Sequence, residues 1–336
     1  MNLTFLVFHE QCTTNHYNVQ LYKYQFSKMK FYEFLALTTN RDELLNYLYS
    51  KNVIRQTIKC PQCGSILELK CLESLCFHCT NHYYKQITNR KRKRLTCNFK
   101  ISALHRTWFS KSNLNIGVAC RLICYILMMN TPRQRFLEVE LNISSSTAVD
   151  WTNFCRELMY EWLIKDENQI GGDGIVVEID EAKFGRRKYN RGRVIQGQWI
   201  FGAIERHSKK FFVVPIASRK SEVLLPLILK NIAPGTIIYS DCWKAYAEIN
   251  KDVYKHYTVN HSANFVDPET GVHTQNIERL WREIRGNIPL YGRKECHFNY
   301  YLAEFIFKKK FDFSERLDAF FKIMGIMYPL NESLNE

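Results

Sequence analysis

The sequence lacks any apolar stretch long enough to cross a membrane, although 46% of its 336 residues are hydrophobic. A spanning helix needs roughly 18 or more consecutive apolar residues, whereas the apolar stretch RLICYILMM ends at the polar TPRQR. The opening residues, MNLTFLVFHEQ, have a short apolar run with no basic residue before it. A secretory signal has a basic leader and a longer apolar core. We therefore expect a protein that is neither secreted nor inserted into a membrane.

Acidic residues are also in short supply, because 33 Asp and Glu stand against 47 Lys and Arg and give a net charge of +14. A basic surface attracts polyanions, and nucleic acid is the first candidate partner. Many basic proteins bind no nucleic acid, so the charge alone does not identify the partner.

Internal repeats are absent as well, and the length predicts two or three domains. Changes in composition along the chain mark where these domains begin and end. We predict an N-terminal segment of unknown role (1–50), a zinc-ribbon-like module (51–110), a helical region (111–170), an α/β domain (171–310) and a C-terminal tail (311–336).

The helical region contains the pattern of a helix-turn-helix. The apolar spacing of PRQRFLEVEL and of the segment from Ser145 to Leu163 predicts two helices. Between them, LNISSST is a short turn in which Ser144 or Ser145 can cap the second helix. Small helical bundles that bind no DNA show the same pattern, so DNA contact by the second helix is one of two interpretations.

From Gly171 onward, apolar strands alternate with helices. GIVVEID predicts a buried strand, QWIFGAIE and FFVVPIAS a hairpin, and TIIYSD a further strand. Helices are predicted in SEVLLPLILKNI, CWKAYAEI and NIERLWREIRG, with a short strand near YKHYTV. Three strands followed by helix, strand, helix, strand and helix is the order of a ribonuclease-H-like α/β fold.

Two aspartates end predicted strands of this domain. Asp180 ends VVEID and Asp241 ends IIYSD, and active sites of open sheets collect at strand ends. Asp is also common at the start of a loop, which is the structural explanation for either one alone. Glu278 follows Asp241 by 278 − 241 = 37 residues. Carboxylates gathered this way hold Mg²⁺ or Mn²⁺, and a pair of such ions promotes displacement at phosphorus.

The helix NIERLWREIRG predicts which acid faces the aspartates. Glu278 lies at the edge of its apolar stripe, and Arg285 lies almost above Glu278, about two turns on. Glu283 points about 140° away. Glu178 and Glu181 flank Asp180 and are assigned no role, although Glu178 shares the Asp180 side of the strand. The stripe that should pack on the sheet consists of Ile277, Leu280, Trp281, Ile284 and Ile288.

Twelve cysteines in a basic chain without an export signal favour metal binding over disulfides. Cys60-Pro-Gln-Cys63-Gly has the spacing of one half of a zinc site, and Cys76-Phe-His-Cys79 repeats the two-residue gap. A structural zinc site with four sulfur ligands is the hypothesis. The alternative is a set of buried thiols without zinc.

Four segments in order resemble a known family. EIDEAKFGRRKYNRGR, WIFGAIER, YSDCWKAY and VNHSANFVDPETGVHTQNIERLWREIR are similar to the DDE transposases of the Merlin superfamily and the related bacterial insertion-sequence transposases with an N-terminal zinc ribbon. The likeness covers roughly residues 55–310. It implies a ribonuclease-H-like catalytic core and a catalytic triad of Asp180, Asp241 and Glu278 that binds two Mg²⁺ or Mn²⁺ ions.

The resemblance also implies a substrate, which is double-stranded DNA at the inverted-repeat ends of a mobile element. The ends are hydrolysed, the freed 3′-hydroxyl attacks target DNA, and the enzyme is expected to act as a homo-oligomer. It would work in the nucleus of a eukaryote, or with the nucleoid in the cytoplasm of a bacterium. The intact triad favours a transposase over a domesticated, non-catalytic DNA-binding protein. A structure-selective nuclease such as a resolvase would leave the ribbon and the helical region unexplained.

The zinc ribbon of these relatives ends in a cysteine followed by a pattern similar to Cys97-Asn-Phe-Lys-Ile-Ser, which implies Cys97 as the last ligand. The sequence departs from the family where NRKRKRLT replaces the partner cysteine expected just before Cys97. The third and fourth ligands are therefore open among Cys76, Cys79, Cys97, His78 and His82. The set that we favour is Cys60, Cys63, Cys79 and Cys97.

Two basic clusters are candidate DNA contacts. The run Asn89–Arg94, with Arg92, Lys93 and Arg94, predicts phosphate contact or a nuclear-localisation sequence, and the alternative is a solvated charge run. The second cluster follows Asp180 in the sequence, where its basic side chains can bind DNA beside the metal ions. Together with Arg285, its members complete the predicted contacts: Arg186, Arg187, Lys188, Arg191 and Arg193.

Overall fold

The computed structural model describes residues 26–69, 74–88, 91–131, 133–166, 168–185, 197–260, 266–268, 271–288 and 297–330. These residues form two compact units, one of residues 161–285 and one of residues 26–160 with 286–330. No helix in the described ranges has both the length and the apolar character needed to span a bilayer.

The elements follow in chain order. The helices are α1 (Phe31–Thr39), α2 (Arg41–Ser50), α3 (Ile116–Met128), α4 (Gln134–Leu141), α5 (Ser145–Ile164), α6 (Ser221–Asn231), α7 (Gln275–Asn287), α8 (Phe298–Lys310) and α9 (Arg316–Met327). The strands are β1 (Thr57–Lys59), β2 (Ile66–Glu68), β3 (Cys76–His78), β4 (His82–Thr88), β5 (Lys91–Thr96), β6 (Lys100–Ser102), β7 (Ile170–Gly171), β8 (Val176–Phe184), β9 (Gln198–Glu205), β10 (Phe211–Ile216), β11 (Ile232–Ala233), β12 (Ile237–Asp241) and β13 (Lys255–Val259).

The unit of residues 161–285 is built on a five-stranded mixed sheet in the order β10-β9-β8-β12-β13. β9 pairs antiparallel with β8 on one side and with β10 on the other. β12 pairs parallel with both β8 and β13, and a parallel pair needs a crossover, which here contains α6. This is the ribonuclease-H-like arrangement, so the predicted α/β fold is confirmed.

Strand alternation divides the sheet into two faces. On one, the α6 face, apolar residues such as Val177, Ile179 and Phe201 pack with Leu224 and Ile228 of α6. The other, the α7 face, is covered by α7. The predicted stripe of α7 is buried as expected: Ile277, Leu280, Trp281, Ile284 and Ile288.

One predicted helix of this domain has a different form. CWKAYAEI was predicted as a helix, and the structure has only a short 3-10 helix, Lys244–Glu248. The Asp241 side chain accepts a hydrogen bond from the Trp243 backbone at 3.0 Å, and Trp243 itself is extended. The hydrogen bonds that follow span three residues, as from the Tyr246 amide to the Trp243 carbonyl at 3.0 Å.

In the other unit, the predicted turn between two helices is present. Asn142 ends α4 with a left-handed backbone at φ 50°. The Ser144 hydroxyl then accepts a hydrogen bond from the Thr147 backbone at 3.1 Å, so Ser144 is the cap of α5. Residues 145–155 of α5 include no Lys or Arg. The first basic residue, Arg156, is buried and bonds Glu304 of α8 at 2.6 Å.

The predicted C-terminal tail contains a helix. The predicted tail, residues 311–336, contains α9, which begins at Arg316. Its Phe320 and Phe321 are fully buried, and the Phe321 ring lies 5.5 Å from that of Phe34 in α1. The tail and the N-terminal segment therefore share one apolar core.

The packing of α7 on the sheet depends on Gly202, and this generates a first prediction. A Cβ atom at Gly202 would lie 2.6 Å from the Trp281 ring and 3.2 Å from the Phe212 carbonyl oxygen. We expect Gly202→Ala to lower the free energy of unfolding by about 1–3 kcal/mol, because the indole is buried and cannot move aside. Chemical denaturation measures the change. Gly286→Ala in α7 is the control, since its Cβ would meet nothing within 4 Å. Equal effects of the two substitutions would contradict this packing.

Candidate functional site

Asp180 and Asp241 lie side by side on neighbouring parallel strands. Tyr239 of β12 is paired with Glu178 of β8, and two residues further along each strand stand Asp241 and Asp180. Adjacent strands are about 4.8 Å apart. The register therefore places both carboxylates on the α7 face, at the same height in the sheet.

The environment of Asp180 disfavours its negative charge. Burial raises the pKa of Asp180 to about 7, and the negative charges of Glu181 and Asp241 act in the same direction. The Trp281 indole opposes this shift, because its Nε1 donates a hydrogen bond to Oδ2 of Asp180 at 2.9 Å. Carboxylates held close together in this way form a site that a cation would stabilise.

The same indole determines where Glu278 lies. Trp281 sits over Gly202, which is the residue paired with Asp180 across β8 and β9. Glu278 is three residues before Trp281, and residues three apart are neighbours on a helix surface. Glu278 is half-buried in the first turn of α7. The helix thus presents Glu278 one turn away from the residue that bonds Asp180.

Glu178 fastens the beginning of α7 to the sheet. Its side chain is completely buried. One carboxylate oxygen accepts hydrogen bonds from the backbone amides of Asn276, at 2.8 Å, and Ile277, at 3.1 Å. The other accepts one from the Asn276 side chain at 2.7 Å and lies 3.1 Å from Nε of Arg206. A buried carboxylate at a helix N-terminus satisfies amides that have no partner within the helix.

His273 and Arg206 complete this contact. His273 Nδ1 lies 3.7 Å from Oε1 of Glu178, and Arg206 Nη2 is hydrogen-bonded to Nε2 of His273. Burial and the Arg206 charge hold the pKa of His273 below its usual range. The sequence assigned Glu178 no role. The available indication was its position two residues before Asp180 on the same side of the strand.

Glu181 belongs to the opposite face of the sheet. The Tyr246 hydroxyl donates a hydrogen bond to Oε2 of Glu181, and Nη1 of Arg219 lies 3.5 Å from Oε1. The Arg219 guanidinium is held between two rings, with its centre 4.3 Å from Trp199 and 4.1 Å from Trp243. The charge of Glu181 is therefore balanced on the α6 face, away from Glu278.

The remaining acid of α7 forms an ion pair, and Arg285 lies beside an aromatic ring. Glu283 is half-buried, and its carboxylate lies 3.3 Å from Nε of Arg279. Arg285 is exposed, and its guanidinium lies 5.1 Å from the centre of the Phe184 ring at the end of β8. The basic cluster Arg186, Arg187, Lys188, Arg191 and Arg193 lies outside the described residues.

The three proposed catalytic acids do not form a tight ligand cluster in the structure. Among the described residues, one set of Cys, His, Asp or Glu has three or more ligand atoms all within 4.8 Å of one another, and it consists of cysteines. Asp180, Asp241 and Glu278 do not reach that spacing.

That tight set is formed by the four cysteines that we favoured from the sequence. Sulfur atoms of Cys60 and Cys97 are 3.5 Å apart, and those of Cys63 and Cys79 are 3.4 Å apart. Tetrahedral zinc with Zn–S bonds of about 2.3 Å requires sulfurs about 3.8 Å apart. The number, type and spacing of the ligands therefore fit a structural zinc ion.

Local backbone structure explains how each cysteine reaches the cluster. Gly64, with φ 74°, turns the chain after Cys63, and the Gly64 amide bonds the Cys60 carbonyl at 2.9 Å. Cys79 precedes β4 and Cys97 follows β5, so the pairing of these two strands brings the two cysteines together at the base of the hairpin. The other candidates lie elsewhere: Cys76 bonds a backbone carbonyl, His82 contacts Thr96, and neither they nor His78 belong to the cluster.

Comparison with known proteins identifies the class of the α/β domain. Residues 169–310 match the family model of the ISXO2-like transposase domain. A stretch of 96 residues is 26% identical to an uncharacterized transposase-like protein of Haemophilus influenzae (strain ATCC 51907 / DSM 11121 / KW20 / Rd), covering 28% of this chain and 76% of that protein. Residues 169–310 are therefore similar to DDE transposase domains of the ISXO2-like (IS1595) type.

A solved structure gives a weaker likeness. It is the cryo-EM structure of the simian T-cell lymphotropic virus intasome in complex with PP2A regulatory subunit B56 gamma. The alignment covers 51% of this chain and 63% of that chain, at 13% identity and a TM-score of 0.26. The match thus spans less than two thirds of that chain, and its score is too low to establish a shared fold.

The cysteine cluster generates a second prediction. Cys97→Ser should reduce zinc in the purified full chain from about one ion per molecule to well below that, because it removes a thiolate ligand. Cys76→Ser is the matched control, since Cys76 lies in the same module and outside the cluster. Elemental analysis measures the zinc content. Loss of zinc in Cys76→Ser, or a wild-type chain without zinc, would show that this ligand set is wrong.

Proposed function

We propose that this chain is a transposase that binds the inverted-repeat ends of a mobile element and cuts and joins DNA strands with Asp180, Asp241 and Glu278. The observation that carries this proposal is the placement of Asp180 and Asp241 on the adjacent parallel strands β8 and β12, on the sheet face that is covered by the helix bearing Glu278. The ISXO2-like domain supports the reaction class. The four sequence segments quoted above support membership of the Merlin superfamily.

The three carboxylates would hold two Mg²⁺ or Mn²⁺ ions. Hard oxygen ligands suit these ions, and the burial of Asp180 beside the negative charges of Glu181 and Asp241 fits a cationic partner. Such ions, when bound, activate the attacking oxygen and stabilise the leaving oxygen at phosphorus. The residues of the chain orient the ligands: Trp281 fixes the Asp180 carboxylate, and Glu178 fixes the helix that carries Glu278.

The reaction itself consists of two displacements at phosphorus. Hydrolysis breaks the phosphodiester bond at the end of the element and frees a 3′-hydroxyl. That hydroxyl then attacks a phosphodiester of the target, so one bond forms as another breaks and no covalent link to the protein is needed. Double-stranded DNA is the partner at both steps, and a homo-oligomer would bring the two ends together. The site of action is the nucleus in a eukaryote or the nucleoid in a bacterium.

DNA contacts are proposed on three parts of the chain. Arg285 of α7 is exposed and lies beside Phe184 at the end of β8. There it can bind a phosphate near the carboxylates. Arg92, Lys93 and Arg94 are exposed on β5 of the zinc ribbon. The third part is the cluster of five basic residues from Arg186 to Arg193, which the sequence places just after Asp180.

The choice of Glu278 as third ligand generates a third prediction. Short inverted repeats sought in the flanking genomic DNA would provide the end-containing duplex. With Mn²⁺, Glu278→Gln should cut and join this duplex at least about 100-fold more slowly than wild type, since it removes a ligand of the ions. Glu283→Gln should stay near wild type, because Glu283 is not a proposed ligand and its ion pair with the exposed Arg279 contributes little.

The outcomes separate the alternatives. Equal activity of the two variants, or a larger loss in Glu283→Gln, would mean that the wrong acid was chosen. Binding without cleavage by the wild type would identify a non-catalytic DNA-binding protein. Cleavage without strand joining would identify a nuclease.

A further inference from the structure

The hairpin of β4 and β5 projects from the four-cysteine cluster. Cys79 lies three residues before β4, and Cys97 directly follows β5. The Cys97 amide bonds the Asn81 carbonyl at 2.7 Å, which closes the base of the hairpin. Two-stranded hairpins are marginally stable alone in water, so the cluster holds this one in place.

The hairpin has two chemically different faces. Residues directly opposite each other on antiparallel strands share a face. Tyr83 is paired with Leu95 and Lys85 with Lys93, and Tyr83 packs against the cysteine cluster. We call this the lysine face.

The other face alternates with the lysine face. Tyr84 is paired with Arg94, and Gln86 is paired with Arg92. All four side chains are exposed, Tyr84 to 67%. We call this the arginine face. It carries two guanidinium groups and a carboxamide, the groups that form bidentate hydrogen bonds with base edges.

The charges of the hairpin favour an anionic partner. Neither HYYKQIT nor KRKRLT contains an Asp or Glu. Lys85 and Lys93 are directly opposite each other, and like charges in that position destabilise a pair of strands. A polyanion would remove this repulsion.

We infer that this hairpin enters the major groove of DNA as a two-stranded ribbon, with the arginine face toward the base edges. The major groove is about 12 Å wide and admits such a ribbon. Arg92 and Arg94 are suited to guanine, and Gln86 to adenine. From the lysine face, Lys85 and Lys93 extend to phosphates at the groove walls. The inference rests on the proposed function, because it takes DNA as the partner.

The comparison with α5 favours the hairpin as the reading element. Residues 145–155 of that helix offer no Lys or Arg, and they include Asp150. The two strands of the hairpin contain five basic residues and no Asp or Glu; the basic residues are Lys85, Lys91, Arg92, Lys93 and Arg94.

The test uses the full-length chain and a random library of 30-base-pair duplexes (roughly three helical turns), from which bound sequences are selected. Wild type should select a motif. Arg92→Lys with Arg94→Lys keeps the charge and removes the bidentate geometry, so it should lose part of the motif at a similar salt dependence. Lys85→Gln with Lys93→Gln should keep the motif, and the slope of log affinity against log salt should become shallower by about 1.8.

Each other outcome counts against a stated claim. A wild-type chain that binds no duplex would overturn the proposed function and this inference together. Binding of DNA without a selected motif, or a motif unchanged by the arginine substitutions, would overturn the inference alone. So would a motif that changes only with the lysine substitutions. A zinc content equal to that of wild type confirms in each variant that the ribbon is folded.

Discussion

The buried carboxylate of Glu178 needs hydrogen-bond donors, and the first turn of α7 supplies them. Leaving such a charge unpaired would cost about 3–5 kcal/mol, so α7 cannot slide along the sheet without losing these bonds. Asp180 is two residues from Glu178 on β8, and Glu278 directly follows Ile277, whose amide Glu178 binds. One contact therefore sets the relative positions of two of the proposed metal ligands.

The chain separates two kinds of metal chemistry. The cysteine cluster offers soft sulfur ligands at a spacing that suits zinc. The α/β domain offers hard carboxylate oxygens, which suit Mg²⁺ or Mn²⁺. The first holds a basic hairpin in place, and the second is placed for reaction at phosphorus. Both sites are assembled by strand pairing: β8 with β12 for the aspartates, and β4 with β5 for Cys79 and Cys97.

The sequence predicted the parts of the fold that depend on local pattern. Strand periodicity located Asp180 and Asp241, and helical periodicity identified the buried stripe of α7, which the structure confirms. Local patterns of this kind could not predict contacts between residues that are far apart in the sequence. Glu178 binds an amide 98 residues away, and nothing in its local sequence indicates that partner. The closeness of Gly202 to Trp281 likewise depends on how a helix lies on a sheet. The catalytic roles of the three acids remain predictions.

The most direct test compares the Mn²⁺ affinity of the full-length Glu178→Gln variant with that of the wild type. Electron paramagnetic resonance measures the bound Mn²⁺. Glu178 is not a proposed ligand, so its effect on the ion would act through the placement of α7. We expect affinity to fall about 10–100-fold, as for other residues that orient metal ligands. Glu222→Gln, which changes an exposed carboxylate in the first turn of α6, should bind as wild type does. Unchanged affinity in a folded Glu178→Gln chain would contradict the account.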